Sequence, residues 1–134
     1  MAVIELDASY GLCVLNVVLA FVLLMFKSIM VGVARKRYGV SYPDMYAIKG
    51  VTRRKDASGE GDRLLELTDA DCDAFNCYQR AHQNTLENLT MFLAVMLLGG
   101  LKYPITSAIG GFIWIVGRLI YALGYYTGNP DKRM

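Results

Sequence analysis

The chain has 134 residues, of which 54% are hydrophobic and 19% charged, against roughly 45 to 50% apolar and about 25% charged in ordinary soluble domains; its mean hydropathy is +0.32. That is the balance of a membrane protein, with polar residues banked in blocks between apolar runs. A formal net charge of +2, with basic residues at span ends and in one loop rather than along one face, argues against nucleic acid as a partner.

The N-terminus "MAVIELDASY" carries Glu5 and Asp7 where a cleavable signal carries positive charge, so the first apolar run is expected to be a retained span. That run covers about residues 10–34 and stops at "RKRYG". A hydrocarbon layer needs roughly 20 apolar residues, so it is long enough to cross. A hydrophilic loop follows over about residues 35–73, with Gly59 and Gly61 in a Ser/Glu/Asp setting that reads as irregular. The second helix, about residues 74–101, is polar in its first half and apolar in its second, "LTMFLAVMLLGGL". The third span, about residues 105–126, is preceded by Pro104 and closed by Gly128 and Pro130 as helix stops. Together these predict an all-α integral membrane protein, an up-down transmembrane helix bundle forming one domain over residues 1–134. Cys13, Cys72 and Cys77 have no metal spacing around the single His82 and read as reduced thiols.

Orientation follows from lysine and arginine. Arg35, Lys36, Arg37, Lys49, Arg53, Arg54, Lys55 and Arg63 stand in the first loop, Lys102 alone in the second, and Lys132 and Arg133 in the tail. The positive-inside rule therefore places the first loop and the tail in the cytosol.

Lys27, Arg80, Glu87 and Arg118 lie in or beside the spans, where a charge costs about 2.5 to 3.5 kcal/mol at the bilayer centre; by default they face a bundle interior, a partner chain or a wet cavity. Arg80, Asn84 and Glu87 stand at i, i+4 and i+7, on one helical face, and Arg118, Tyr121 and Tyr125 at i, i+3 and i+7 on the third helix. Two readings stand on this pattern. Guanidiniums suit carboxylates and a glutamate suits an ammonium, so the stripes can hold a small zwitterion with more than one carboxylate, entering from the cytosolic side. The other reading is a buried ion pair between Arg80 and Glu87, with Arg118 and the tyrosines in the interfacial belt.

"FNCYQRAHQNTLE" (Phe75 to Glu87), followed by "WIVGRLIYALGYYTGNPDKR" (Trp114 to Arg133), resembles the microsomal glutathione S-transferases of the third type, within the membrane-associated proteins in eicosanoid and glutathione metabolism. The resemblance extends more loosely to "ARKRYGVSYPDMY" (Ala34 to Tyr46) and the first span, and covers most of the chain apart from the central loop. It implies a homotrimer that binds glutathione, its co-substrate, between adjacent subunits. Arg80, Asn84 and Glu87 match the arginine, asparagine and glutamate of the glutathione cradle, and Arg118, Tyr121 and Tyr125 match the third-helix arginine and tyrosines. His82 falls where relatives often carry a glutamine that touches glutathione; a hydrogen-bonding role suits it better than that of general base. Arg35 matches a basic residue that reaches glutathione from the neighbouring subunit, and Asn88 stands where leukotriene C synthases carry a tyrosine.

Catalysis on glutathione needs the thiolate, since a free thiol has a pKa near 8.5. In the relatives an arginine just beyond the third helix stabilises the sulfur; here that position falls on Lys132, with Arg133 beside it. The resemblance implies conjugation of glutathione to lipophilic electrophiles, leukotriene-type epoxides included, or reduction of lipid hydroperoxides. The location it implies is the endoplasmic reticulum membrane or the mitochondrial outer membrane. Relatives usually have a fourth membrane helix and a shorter central loop, so a truncated form is also an expectation. The alternatives are a non-catalytic lipid- or glutathione-binding scaffold, then a small channel or transporter subunit, against which the lack of a broken helix or repeated half argues.

Overall fold

The computed structural model describes residues 5–55 and 64–129. Three helices form the bundle: α1 (Tyr10–Tyr38), α2 (Asp69–Lys102) and α3 (Pro104–Tyr125). Each is long and apolar enough to cross a membrane. The protein is thus an all-α membrane helix bundle, with one short hairpin between α1 and α2: β1 (Arg53–Lys55) pairs antiparallel with β2 (Leu64–Glu66), Arg54 opposite Leu65. The central loop, expected to be irregular, therefore carries paired backbone.

Local chemistry sets the boundaries. α1 ends where Gly39 turns left-handed (φ 71°) and returns its N–H to the Arg35 carbonyl, behind a last turn of Arg35, Lys36 and Arg37 whose charges suit a helix C-terminus. α2 begins at Asp69, earlier than expected, because Thr68 caps it: the Thr68 hydroxyl oxygen accepts from the Asp71 N–H, and Asp69 and Asp71 occupy the first turn. One residue, Tyr103, separates α2 from α3, which starts on Pro104.

Close helix contacts at the end remote from the hairpin rest on small residues, as membrane packing favours. A Cβ on Gly100 would stand 2.8 Å from Cys13 Sγ. Nearby, Asn16 on α1 donates to the Ala108 carbonyl on α3 at 2.9 Å, and the Cys13 thiol to the Pro104 carbonyl at 3.3 Å. Phe92 and Trp114 stack across α2 and α3 with ring centroids 4.2 Å apart. At the hairpin end Val31, Ala34, Val40, Ala47, Leu67 and Phe75 form a second core. Asn76 pins the loop there, accepting from the Ala47 N–H at 2.8 Å and donating to the Ala47 carbonyl at 2.9 Å. Outward-facing large apolar side chains crowd α1, among them Leu15, Val18, Phe21, Val22, Met25 and Ile29. That is the surface of a helix meeting lipid or another membrane chain rather than water.

Candidate functional site

α2 presents two faces along its hairpin-side half. Phe75, Tyr78, Gln79, Ala81 and Thr85 are buried against the bundle, while Arg80 and Glu87 are exposed and Asn84 is half-buried at the edge toward α3. The i, i+4, i+7 stripe is thus the open face. Across the seam, the Arg118 guanidinium of α3 donates a hydrogen bond to Asn84 Oδ1, and the Asn84 carbonyl accepts from Asn88 Nδ2 at 2.8 Å. Arg118 lies over two rings of its own helix, 5.3 Å from the Trp114 centroid and 5.9 Å from that of Tyr121. Trp114, Gly117, Arg118 and Tyr121 line a cavity of about 370 Å³. Trp114 also borders an apolar groove of about 500 Å³ that runs on between α2 and α3 along Met91, Phe92, Val95 and Met96.

The Arg80 guanidinium lies near the Tyr46 side chain, with Glu87 and Tyr121 within electrostatic range. Arg80 and Glu87 make no direct ion pair: among the described residues the pair formed is Lys49 with Asp73, at 2.8 Å on the surface. This sets aside the buried Arg80–Glu87 bridge. Tyr125 is buried against Cys77, Ala81 and Ala122, and its ring lies 4.8 Å from that of Tyr121. Arg35 lies 4.2 Å over the Tyr42 ring and 5.4 Å from Phe75, remote from the Asn84–Arg118 junction in sequence and held to the loop end. His82 is half-buried. Lys132 and Arg133 lie outside the described residues.

Four polar atoms on this half are buried with no hydrogen-bond partner among the described residues: Arg35 Nη1, Gln79 Oε1, His82 Nδ1 and the Tyr126 hydroxyl. Native structures satisfy nearly all such atoms. Sequence reading missed Tyr46, Gln79 and Thr85, whose roles depend on which helix each one meets. Their only signal in the sequence is polarity next to an apolar run.

The arrangement is a membrane bundle with a cationic, hydrogen-bonding seam opening into an apolar groove, the inventory for holding a polar anionic group beside a lipophilic one. The sequence pattern of the MAPEG family matches residues 13–134. The chain belongs to the MAPEG family, the membrane-associated proteins in eicosanoid and glutathione metabolism. This is a family of membrane helical bundles that includes glutathione transferases and peroxidases together with non-catalytic members. The chain is also similar to an uncharacterized protein of Synechocystis sp., 34% identical over 117 residues, which covers 87% of this chain and 67% of the relative. No solved structure matches the chain.

Proposed function

We propose that the protein is a membrane-bound glutathione transferase of the microsomal third type, conjugating glutathione to lipophilic electrophiles such as leukotriene-type epoxides or reducing lipid hydroperoxides. The observation that carries the reading is the Asn84–Arg118 junction, an amide and a guanidinium on facing helices beside exposed Arg80 and Glu87. Arg80 and Arg118 offer forked donors to the two carboxylates of glutathione, and Glu87 an acceptor for its ammonium. Tyr121 and His82 add hydrogen-bonding groups, and Tyr125 stands behind Tyr121. The apolar groove past Trp114 suits the lipophilic co-substrate.

In the proposed reaction the glutathione thiol loses its proton and the thiolate attacks the electrophilic carbon. A C–S bond forms as the epoxide C–O bond breaks, and the alkoxide takes up a proton. The residues' task is to lower the free energy of the thiolate, and Lys132 and Arg133 are proposed for it, with Arg35 of a neighbouring subunit completing the site in a homotrimer. The proposed setting is the endoplasmic reticulum membrane, with residues 1–134 acting as one domain and the site facing the cytosol. A second reading, a glutathione- or lipid-binding scaffold without turnover, is favoured by the Arg118–Asn84 bond, which commits part of the guanidinium fork inside the chain.

Conjugation of glutathione to a chlorodinitrobenzene electrophile by the purified protein in detergent separates the two. A transferase gives saturable product formation that slows severalfold in a Lys132→Ala/Arg133→Ala double variant while glutathione affinity is kept. Binding without product in the parent would leave the scaffold.

A further inference from the structure

α1 carries one charged side chain inside its apolar run, Lys27, and it heads the largest fully buried side chains among the described residues. Its Nζ donates to Thr85 Oγ1 at 2.6 Å and to the Ala81 carbonyl at 3.4 Å, and the Thr85 hydroxyl donates to that same carbonyl at 3.2 Å. Both acceptors are neutral. No carboxylate among the described residues is within ion-pair distance of it.

The charged and titratable groups nearest it along the helices packed around it include Cys77, Tyr78, Arg80, His82 and Glu87 of α2 and Arg118, Tyr121 and Tyr125 of α3. Arg118 and His82 lie within electrostatic range of the ammonium, and neither supplies negative charge. Glu87 is exposed, two positions and about 200° around the helix from Thr85. A buried cation without a counter-ion is costly inside a bilayer, and an apolar side chain of similar length would fill the same space without that cost.

The balance of charge around the seam gives the lysine a use. Among the described residues at the seam, Lys27, Arg80 and Arg118 stand against Glu87, an excess of positive charge to which Arg35, Lys132 and Arg133 add on the proposed reading. Glutathione, with two carboxylates and one ammonium, carries one net negative charge as the thiol and two as the thiolate. The thiolate is the form that an excess of positive charge favours, and a desolvated charge acts on it with little screening.

We propose that Lys27 is a positioning residue of the glutathione site: its buried positive charge favours thiolate over thiol in glutathione held at Asn84 and Arg118, and its bonds to Thr85 and Ala81 fix the turn of α2 that presents Asn84. This rests on the glutathione reading above. It concerns a residue that bonds to Thr85 and Ala81, outside the cradle stripe, and acts from behind it.

The test titrates the ultraviolet thiolate absorbance of glutathione bound to the full chain in detergent, beside equilibrium binding of glutathione, for the parent, Lys27→Met, Lys27→Arg and Thr85→Val. Lys27→Met is expected to stay helical and bind within about twofold of the parent. Its thiolate midpoint rises by about one pH unit, a roughly tenfold loss of thiolate at neutral pH. Lys27→Arg keeps the parent midpoint, and so does Thr85→Val, which removes the hydrogen-bond acceptor but not the charge. Equal midpoints in the parent and Lys27→Met overturn the assignment, as does a Thr85→Val shift as large as that of Lys27→Met, which makes the role purely structural. If Lys27→Met does not fold, Lys27→Gln is read by the same criteria. A parent that binds no glutathione overturns both this inference and the function it rests on; a parent that ionises glutathione no better than Lys27→Met overturns this inference alone.

Discussion

The two ends of the bundle treat buried polar groups in opposite ways. At the end remote from the hairpin, Asn16 and Cys13 spend their donors on the Ala108 and Pro104 carbonyls, and the helices close over Gly100 and Gly111. At the hairpin end, Arg35 Nη1, Gln79 Oε1, His82 Nδ1 and the Tyr126 hydroxyl are buried without a hydrogen-bond partner among the described residues. An unsatisfied buried group costs about 1 to 3 kcal/mol, so the hairpin end carries a cost that the opposite end avoids. One end therefore holds the helices together, and on the proposed reading the other binds.

Substitutions at the two ends should separate those roles. The largest effect is expected from Arg118→Ala, which removes the charged partner of Asn84 and the guanidinium of the seam. Glutathione affinity should fall by about 2 to 3 kcal/mol, roughly 30- to 150-fold, with thermal stability in detergent nearly unchanged. Next comes Gly100→Leu at the opposite end, where the new Cβ meets Cys13 Sγ at 2.8 Å and the Tyr10 ring at 3.1 Å. It should lower bundle stability by about 2 kcal/mol, read as a fall in the melting temperature, and leave glutathione affinity as it was. The smallest is Asn76→Ala, which releases Ala47 from its two side-chain bonds. A loss of about 1 kcal/mol confined to the loop is expected, visible as faster proteolytic nicking between α1 and α2 while the melting of the helices holds.

The same contrast divides what could be read from the sequence. Lipid-facing length and hydropathy are local properties, so the three membrane helices were legible in "CVLNVVLAFVLLMF" and its two successors. The start of α2 was not, because Thr68, Asp69 and Asp71 look like loop residues until they are seen to cap a helix. The β1–β2 hairpin escaped for a related reason: three-residue strands carry too little alternation to stand out. Within the site, helical spacing placed Arg80, Asn84 and Glu87 on one face and Arg118 beside Tyr121, since a single helix fixes those relations. Relations between helices were beyond its reach. Nothing in the spacing says that Arg118 meets Asn84 rather than Glu87, that Tyr125 turns into the core, or that Lys27 ends on Thr85.

The central claim is that the hairpin end is a glutathione site and the opposite end is scaffold. Equilibrium binding of radiolabelled glutathione to purified parent, Arg118→Ala and Gly100→Leu proteins, each checked for helix content, tests it most directly. The account predicts saturable binding to the parent, affinity kept in Gly100→Leu despite its lower melting temperature, and a loss of at least about tenfold in Arg118→Ala. Equal affinity in the parent and Arg118→Ala, or binding lost with Gly100→Leu alone, would contradict it.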